Sequence, residues 1–390
     1  MRNRAPIVRC SGEGHRVRLA GGRRFFAAAR CPRCGAPVDP WRWRRVLAGA
    51  RELLRPSGER AVDRVGHGLA VGWIAVVLVA TLLLWGFADV WWPATILLFG
   101  PRWVLLVPAA VLVPWALWRD RALVAPLLLA LLVGAGPLVG LRSGIRALLP
   151  TGDGPTLTVA SLNARGGDDL PPLTEMLADW NADVVLFQEC SGPLREQILA
   201  LEGDHSPVDV HAATGLCMVT RLELQQVSQM EREAFRFAGG AGLVWSYRLG
   251  WYDESLTVTN LHLETQREGL ELVRQGQVAE AIAPLEEKSF LRSIELQAAR
   301  RWVDGLDGPH IVAGDFNTPP ESRIYRSAWS DWTNAFDARG RGLGGTRPNG
   351  WIRARIDHVL LDPGWRVVEV RVADDVGSDH LPVVARVRRR

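Results

Sequence analysis

The chain has 390 residues, 48% of them hydrophobic and 23% charged, with a formal net charge of +4. That length holds one full core and a second module, and the composition excludes a disordered or collagen-like polymer. Five cysteines in such a chain exclude a disulfide-dense scaffold.

The charge is unevenly divided. Residues 1–68 carry 16 Arg against 5 acids, a net +11. Residues 69–150 carry 5 Arg against Asp89 and Asp120, a net +3. Residues 151–390 carry 25 basic and 35 acidic groups, a net −10. Three segments with different surroundings are expected.

Residues 1–45 read as a basic tail resembling a zinc ribbon, with a C-x-x-C-G knuckle at Cys31 and Cys34. Two thiolates at that spacing suit one tetrahedral Zn²⁺, and Cys10 and His15 are the local candidates to complete the site. A redox pair or unpaired thiols are the alternatives. Residues 46–68 form a basic juxtamembrane segment, which either attracts anionic lipids or only sets topology.

Residues 69–141 read as membrane-spanning. The runs 69–88 and 122–141 each hold 20 residues without a charge. At the helical rise each reaches about 30 Å, a hydrocarbon core. A third span, 94–118, contains Arg102 alone and requires that side chain to snorkel. The arginine-rich tail places the N-terminus in the cytoplasm by the positive-inside rule. Three crossings then put the C-terminal domain outside. A re-entrant middle segment would instead leave it inside.

A Gly- and Pro-containing linker, 142–155, leads into residues 156–390. Here short apolar runs alternate with helical stretches. Strands are expected at 156–162, 183–188, 216–220, 243–249, 256–263, 310–314, 356–361 and 382–388. Helices are expected at 172–180, 193–201, 268–283 and 289–305. The mixture predicts an α/β fold of two packed sheets covered by helices. Asn163, Glu189, His262, Asp315, Asn317, Asp357, Asp379 and His380 lie in or just after such runs. One polar residue at a strand end is ordinary turn chemistry. Six such runs suggest strand ends converging on one cleft.

The ordered motifs SLNAR, LFQE, GLCMVTR, TNLHLE, AGDFNTPP, RIDHVLL and GSDHLPV resemble the endonuclease/exonuclease/phosphatase superfamily over about residues 156–388. The resemblance implies a four-layer α/β sandwich, and with about three transmembrane helices before it the chain resembles a membrane-anchored bacterial branch of the family, which would sit in the plasma (inner) membrane. It implies a phosphoester hydrolase using Mg²⁺ (or Mn²⁺). Glu189, with Asn163 and Asp379 near it, would hold the metal. Asp315 would orient or deprotonate the attacking water, and Asn317 would hold a phosphate oxygen. His380 would touch the phosphate or act as acid or base, oriented by Asp357. His262 would stabilise the transition state or assist the leaving group.

His205, His211 and His358 read as surface or core residues. Cys190 and Cys217 are either a disulfide or two buried thiols. Residues 338–356 hold five arginines, no acid between Arg339 and Ile356, and Trp351. Arg347, Trp351 and Arg353 read as a substrate loop, or more plainly as a solvated basic loop. The substrate is expected to be a nucleic acid or, alternatively, a phospholipid headgroup or other small phosphoester, with membrane lipids as the anchor's surroundings. Against extended duplex binding stands the −10 charge of residues 151–390. A non-catalytic membrane scaffold is the reading from another class.

Overall fold

The computed structural model describes the short segments 7–9, 16–18, 29–30 and 37–38, then residues 60–203, 206–213, 215–350 and 352–390. Cys10, His15, Cys31, Cys34, His205 and Trp351 lie outside the described residues. The chain divides into two compact units, Met1–Gly72 with Leu112–Pro126 and Trp73–Val111 with Leu127–Arg390.

In the first unit, Ile7–Arg9 pairs antiparallel with Arg16–Arg18, and Ala29–Arg30 with Pro37–Val38. His67 Nδ1 lies 2.8 Å from Asp120, and Arg119 lies 3.6 Å from Asp63. The start of the first long helix and the Arg119–Arg121 turn therefore share one end.

Among the described residues, three stretches are long and apolar enough to cross a membrane: Ala61–Phe87 (α1), Arg102–Arg119 and Arg121–Leu138. The middle one differs from the expected 94–118. Gly100 and Pro101 break the chain, so Trp92–Phe99 (α2) is a separate short helix. The run from Arg102 opens as a 3₁₀ turn and ends as Ala109–Arg119 (α3). Pro101 cannot supply the amide that a continuous helix requires there. The third stretch contains Val124–Val133 (α4) and closes in a π-turn at Gly134–Leu138.

Within the second unit the ends of these stretches meet. Trp85 Nε1 donates to Pro137 O, and Arg102 donates to Leu138 O. Residues of the expected linker, 142–155, lie against the following domain. Arg142–Ser143 pairs with Arg341–Gly342, and Arg339 donates to the carbonyls of Ala147 and Leu149.

That domain runs Thr156–Asn163 (β1), Leu173–Trp180 (α5), Val184–Cys190 (β2), Gly192–Leu199 (α6), Asp209–Ala212 (β3), Gly215–Thr220 (β4) and Leu224–Gln229 (β5). It continues through Leu243–Trp251 (β6), Glu254–His262 (β7), Arg267–Arg274 (α7), Val278–Asp304 (α8), His310–Asp315 (β8) and Arg323–Trp329 (α9). It ends with Thr333–Asn334 (β9), Ala335–Arg339 (α10), the hairpin Arg347–Asn349 (β10) and Ile352–Ala354 (β11), then Asp357–Leu361 (β12), Trp365–Val372 (β13) and Val383–Arg389 (β14).

Two six-stranded sheets form, ordered β13-β14-β1-β2-β4-β3 and β5-β6-β7-β8-β12-β9. Each holds one parallel pair, β1–β2 and β7–β8, and antiparallel neighbours otherwise. A parallel pair needs a crossover, which α5 supplies in one sheet and α7–α8 in the other. Alternating apolar residues of both sheets, among them Val159, Leu186, Tyr247, Val258, Ile311 and Val387, pack face to face. Helices α5 and α6 cover the first sheet's outer face with Met176, Trp180 and Leu194. Helices α8 and α9 cover the second with Leu296, Val303 and Trp329. The fold is therefore α/β with two packed mixed sheets between helical layers.

Candidate active site

The topology brings the polar strand ends together. Parallel β1 and β2 finish at the same end with Asn163 and Glu189. Strand β14 runs against β1, so the turn Ser378–His380 before it reaches that end too, and Ser378 Oγ donates to Asn163 O at 2.6 Å. In the other sheet, parallel register sets His262 opposite Asp315, and antiparallel β12 sets Asp357 opposite Asp315.

Two local devices aim the carboxylates. Gly314 precedes Asp315 with φ +146°, and a Cβ there would lie 2.0 Å from Leu261 O, so only glycine fits between these strands. Glu189 sits where the register of β2 shifts between Gln188 and Cys190, with φ +49°. A left-handed glutamate costs about 1–2 kcal/mol and persists only where its surroundings fix it. One such constraint is a disulfide from the next residue, Cys190, to Cys217 on β4, with Cα atoms 5.8 Å apart. The bulge turns the Glu189 side chain outward, 45% exposed.

Asp315 lies at the centre. Its Oδ1 accepts from Asn317 N at 2.8 Å and its Oδ2 from Asn163 Nδ2 at 3.0 Å. The same Asn163 amide donates to Glu189 at 3.0 Å. His262 Nε2 stands 3.7 Å from both Glu189 and Asp315. His380 Nδ1 donates to Asp357 at 2.9 and 3.1 Å, and its Nε2 lies 3.8 Å from Asp315 and 4.0 Å from Asp379. Asn317 Nδ2 donates to Leu263 O at 2.8 Å. Arg165, Glu264, Thr265 and Arg267 join them around a cleft of about 140 Å³.

The charges follow from these neighbours. Burial, then the adjacent Asp357, pushes the Asp315 carboxyl above the usual range. Burial alone would lower His380, but the charges of Asp357 and Asp315 and the hydrogen bond to Asp357 outweigh it and raise it to about 9. Partial burial opposes the charge on Asp379, yet the Arg347 hydrogen bond and the His380 charge hold it below the carboxylate range.

Arg347 of the predicted basic loop enters the cleft, 2.8 Å from Asp379. Arg353, on β11, is exposed and does not line it. His358 points into the core, with Nε2 at 2.9 Å from Thr318 O and Nδ1 at 3.3 Å from Asn334, and burial lowers it to about 4. His211 meets the Tyr247 hydroxyl at 3.2 Å.

Sequence reasoning passed over the pair beneath the site. Gln188 Nε2 donates to Asn260 Oδ1 at 2.7 Å, and Asn260 Nδ2 donates to the carbonyls of Phe187 and Cys217. This buried amide bridge ties one sheet to the other. Its signal was an amide directly before Glu189 and another two residues before His262.

The donors suit a hard divalent cation. Four carboxylates, those of Glu189, Glu264, Asp315 and Asp379, line one cleft with Arg165, Arg267 and Arg347, and among the described residues no arginine or lysine lies within ion-pair distance of Glu189. A carboxylate without an arginine or lysine partner, as Glu189 is here, is a hard oxygen donor of the kind such an ion takes. Asp315, Asp357 and His380 also lie close enough to share an ion. There His380 Nδ1 is already committed to both oxygens of Asp357, so this group reads as a His–Asp pair beside a second carboxylate.

A cleft of carboxylates and histidines thus lies at the joined ends of the two packed sheets. Residues 160–380 match the profile of the endonuclease/exonuclease/phosphatase family, and the chain belongs to that family. It is a hydrolase of phosphoester bonds. No functionally curated protein matches the chain. Among solved structures, it is similar to D. rerio TDP2 complexed with single-strand DNA product, at 16% identity and TM-score 0.46, covering 60% of this chain and 100% of that one. It is similar to the human Nocturnin catalytic domain with bound sulfate, at 16% identity and TM-score 0.42, covering 60% and 95%. A family protein from Bacteroides thetaiotaomicron is 17% identical, with TM-score 0.40 and coverage of 60% and 95%.

Proposed function

We propose that this chain is a membrane-anchored, divalent-metal-dependent phosphodiesterase of endonuclease-like chemistry. The observation that carries the reading is the apposition, across one cleft, of the His380–Asp357 pair and buried Asp315 with the outward-turned Glu189. Glu189, with Asn163 and Asp379 beside it, would hold Mg²⁺ or Mn²⁺. When bound, the ion would supply positive charge to the phosphoryl oxygens.

The side chains divide the remaining work. Asp315, its basicity raised by burial, takes a proton from the attacking water. His380 is cationic at neutral pH, so it stabilises charge on the phosphoryl group or acts as an acid, with Asp357 fixing its orientation. His262 serves the leaving oxygen. Asn317 has an amide hydrogen left for a phosphate oxygen after bonding Leu263 O. Arg347 offers a further cation at the rim.

The anchor and its topology are part of the proposal. Three apolar stretches of membrane-crossing length support it. The Cys190–Cys217 disulfide favours an oxidising, extracytoplasmic side for the domain, with the basic tail in the cytoplasm of a bacterial inner membrane. A Zn²⁺ site at Cys10, His15, Cys31 and Cys34 is supported by the strand pairs that flank each half of the set. Zinc analysis of the full chain tests it.

A second reading, a phospholipid headgroup as substrate, gains weight from the seating of the catalytic domain on the helix ends. Arg102, at the head of the second apolar stretch, reaches Glu321 at 3.1 Å. The deciding experiment offers the full chain plasmid DNA, RNA, sphingomyelin and bis(4-nitrophenyl) phosphate, with Mg²⁺, Mn²⁺ or EDTA. Metal-dependent cleavage of DNA or RNA supports the first reading, and headgroup release the second. Equal turnover in EDTA would refute the metal, and no turnover of any substrate would refute the enzyme proposed.

A further inference from the structure

Outside the cleft, one fully buried ion pair joins the turn after α1 to the catalytic domain. Arg292 of α8 and Asp89 have no exposed side-chain surface and meet at 2.5 Å. The guanidinium is a fork with two errands. Its Nη2 bonds Asp89 Oδ1, while its Nη1 donates to Asn317 O and Thr318 Oγ1, both at 3.3 Å. The other Asp89 oxygen accepts from Ser322 Oγ, and Ser322 caps α9. Asp89 is thus tied to both ends of the segment Asn317–Ser322.

That segment holds one of the cleft's residues in a costly conformation. Asn317 has φ +49°. A non-glycine residue stays there only when its surroundings over-determine it. Asp315 fixes its amide, Leu263 its side chain and Arg292 its carbonyl. Asp89 itself is held at φ +64° with its amide on Thr95 Oγ1 at 3.0 Å, and Phe99 lies 5.3 Å from the guanidinium.

We propose that Asp89 is a positioning residue for the active site: through Arg292 it fixes the backbone of Asn317 and Thr318, so the anchor segment completes the catalytic loop. The inference takes the cleft to be the active site, as argued above. A plain structural weld would need only charge neutralisation. A positioning role needs the fork, and the two can be separated.

The test uses the full chain and three variants: Asp89→Asn, Arg292→Lys, and the double variant Asp89→Leu with Arg292→Met. The double variant removes both charges together, so no ion is left buried and the fold is retained. Lysine at 292 keeps the charge for Asp89 but cannot bridge to Asn317 and Thr318. Hydrolysis of bis(4-nitrophenyl) phosphate, thermal midpoint and amide exchange of residues 314–322 are measured. Expected is a double variant with a wild-type midpoint, a kcat about 10- to 100-fold lower, a nearly unchanged KM, and faster exchange confined to 314–322. Arg292→Lys should resemble it. A double variant with wild-type kcat and wild-type exchange overturns the proposal. If wild type turns over no phosphodiester, the functional reading has failed, and the exchange data still decide this one.

Discussion

At the scale of single residues, His380 and Asp315 set the pH behaviour. His380 titrates at about 9 in the fold, against about 6.5 in an unfolded chain. Its contribution to stability is therefore complete below about 6.5 and is lost as pH rises through 9. The rate should fall over the same alkaline limb, because the cation is what the phosphoryl oxygens meet. A pH–rate profile checks this, and His380→Ala should lack that limb and lose at least about 100-fold in kcat. Asp315→Asn should lose a comparable factor while keeping its fold, since the amide can still accept from Asn317 N. Full activity in Asp315→Asn would remove Asp315 from the chemistry.

At the scale of elements, the strands that build the cleft were legible because burial on both faces makes them near-continuous apolar runs. Thr156–Asn163, Val184–Cys190 and His310–Asp315 match their expected positions closely. Strands Asp209–Ala212 and Leu224–Gln229 were not legible, because they lie at sheet edges with polar, half-exposed residues. The expected helices 268–283 and 289–305 divide elsewhere. Gly276, at φ +82°, ends the first, and the second runs from Val278 to Asp304 through Pro284. A proline in the first two turns of a long helix forfeits one bond, and the buried face of α8 offsets it. That the polar strand ends would meet at one cleft was legible, but the bulge at Glu189 was not, because a register shift is a property of two strands. The glycine of the GDFN motif carries a prediction at this scale. Gly314→Ala should cost about 3 kcal/mol or more, since the clash is with Leu261 backbone and not with a side chain that can move. A denaturation midpoint equal to wild type would contradict it.

At the scale of the whole chain, buried ion pairs tie the catalytic sandwich to the segment before it. Cutting at residue 150 would strip Asp89 from Arg292 and Arg102 from Glu321. Leaving one partner of a buried pair alone costs about 3–5 kcal/mol. A fragment of 150–390 should therefore unfold at markedly lower denaturant than the same domain in the full chain. Equal midpoints would show that the anchor contributes nothing. Acid should weaken the same junction. Burial opposes the charge on Glu321 and on Asp337, but Arg102 and Arg355 for the first, and Arg355 and Arg142 for the second, hold both carboxyls below their ordinary range. Such groups stabilise the fold above about pH 4 and lose that contribution as pH falls through their lowered values.

The Cys190–Cys217 bond has a consequence in time. Cys190 is the neighbour of Glu189, and its partner lies 27 residues further along the chain on a different strand. One of the constraints on the outward turn of Glu189 is thus added after synthesis, where an oxidant is present. A newly made chain in a reducing compartment would carry its residues in place but its carboxylate loosely held. Treatment with a dithiol should lower the rate of phosphoester hydrolysis and reoxidation should restore it, which would tie the activity of this hydrolase to the redox state around it.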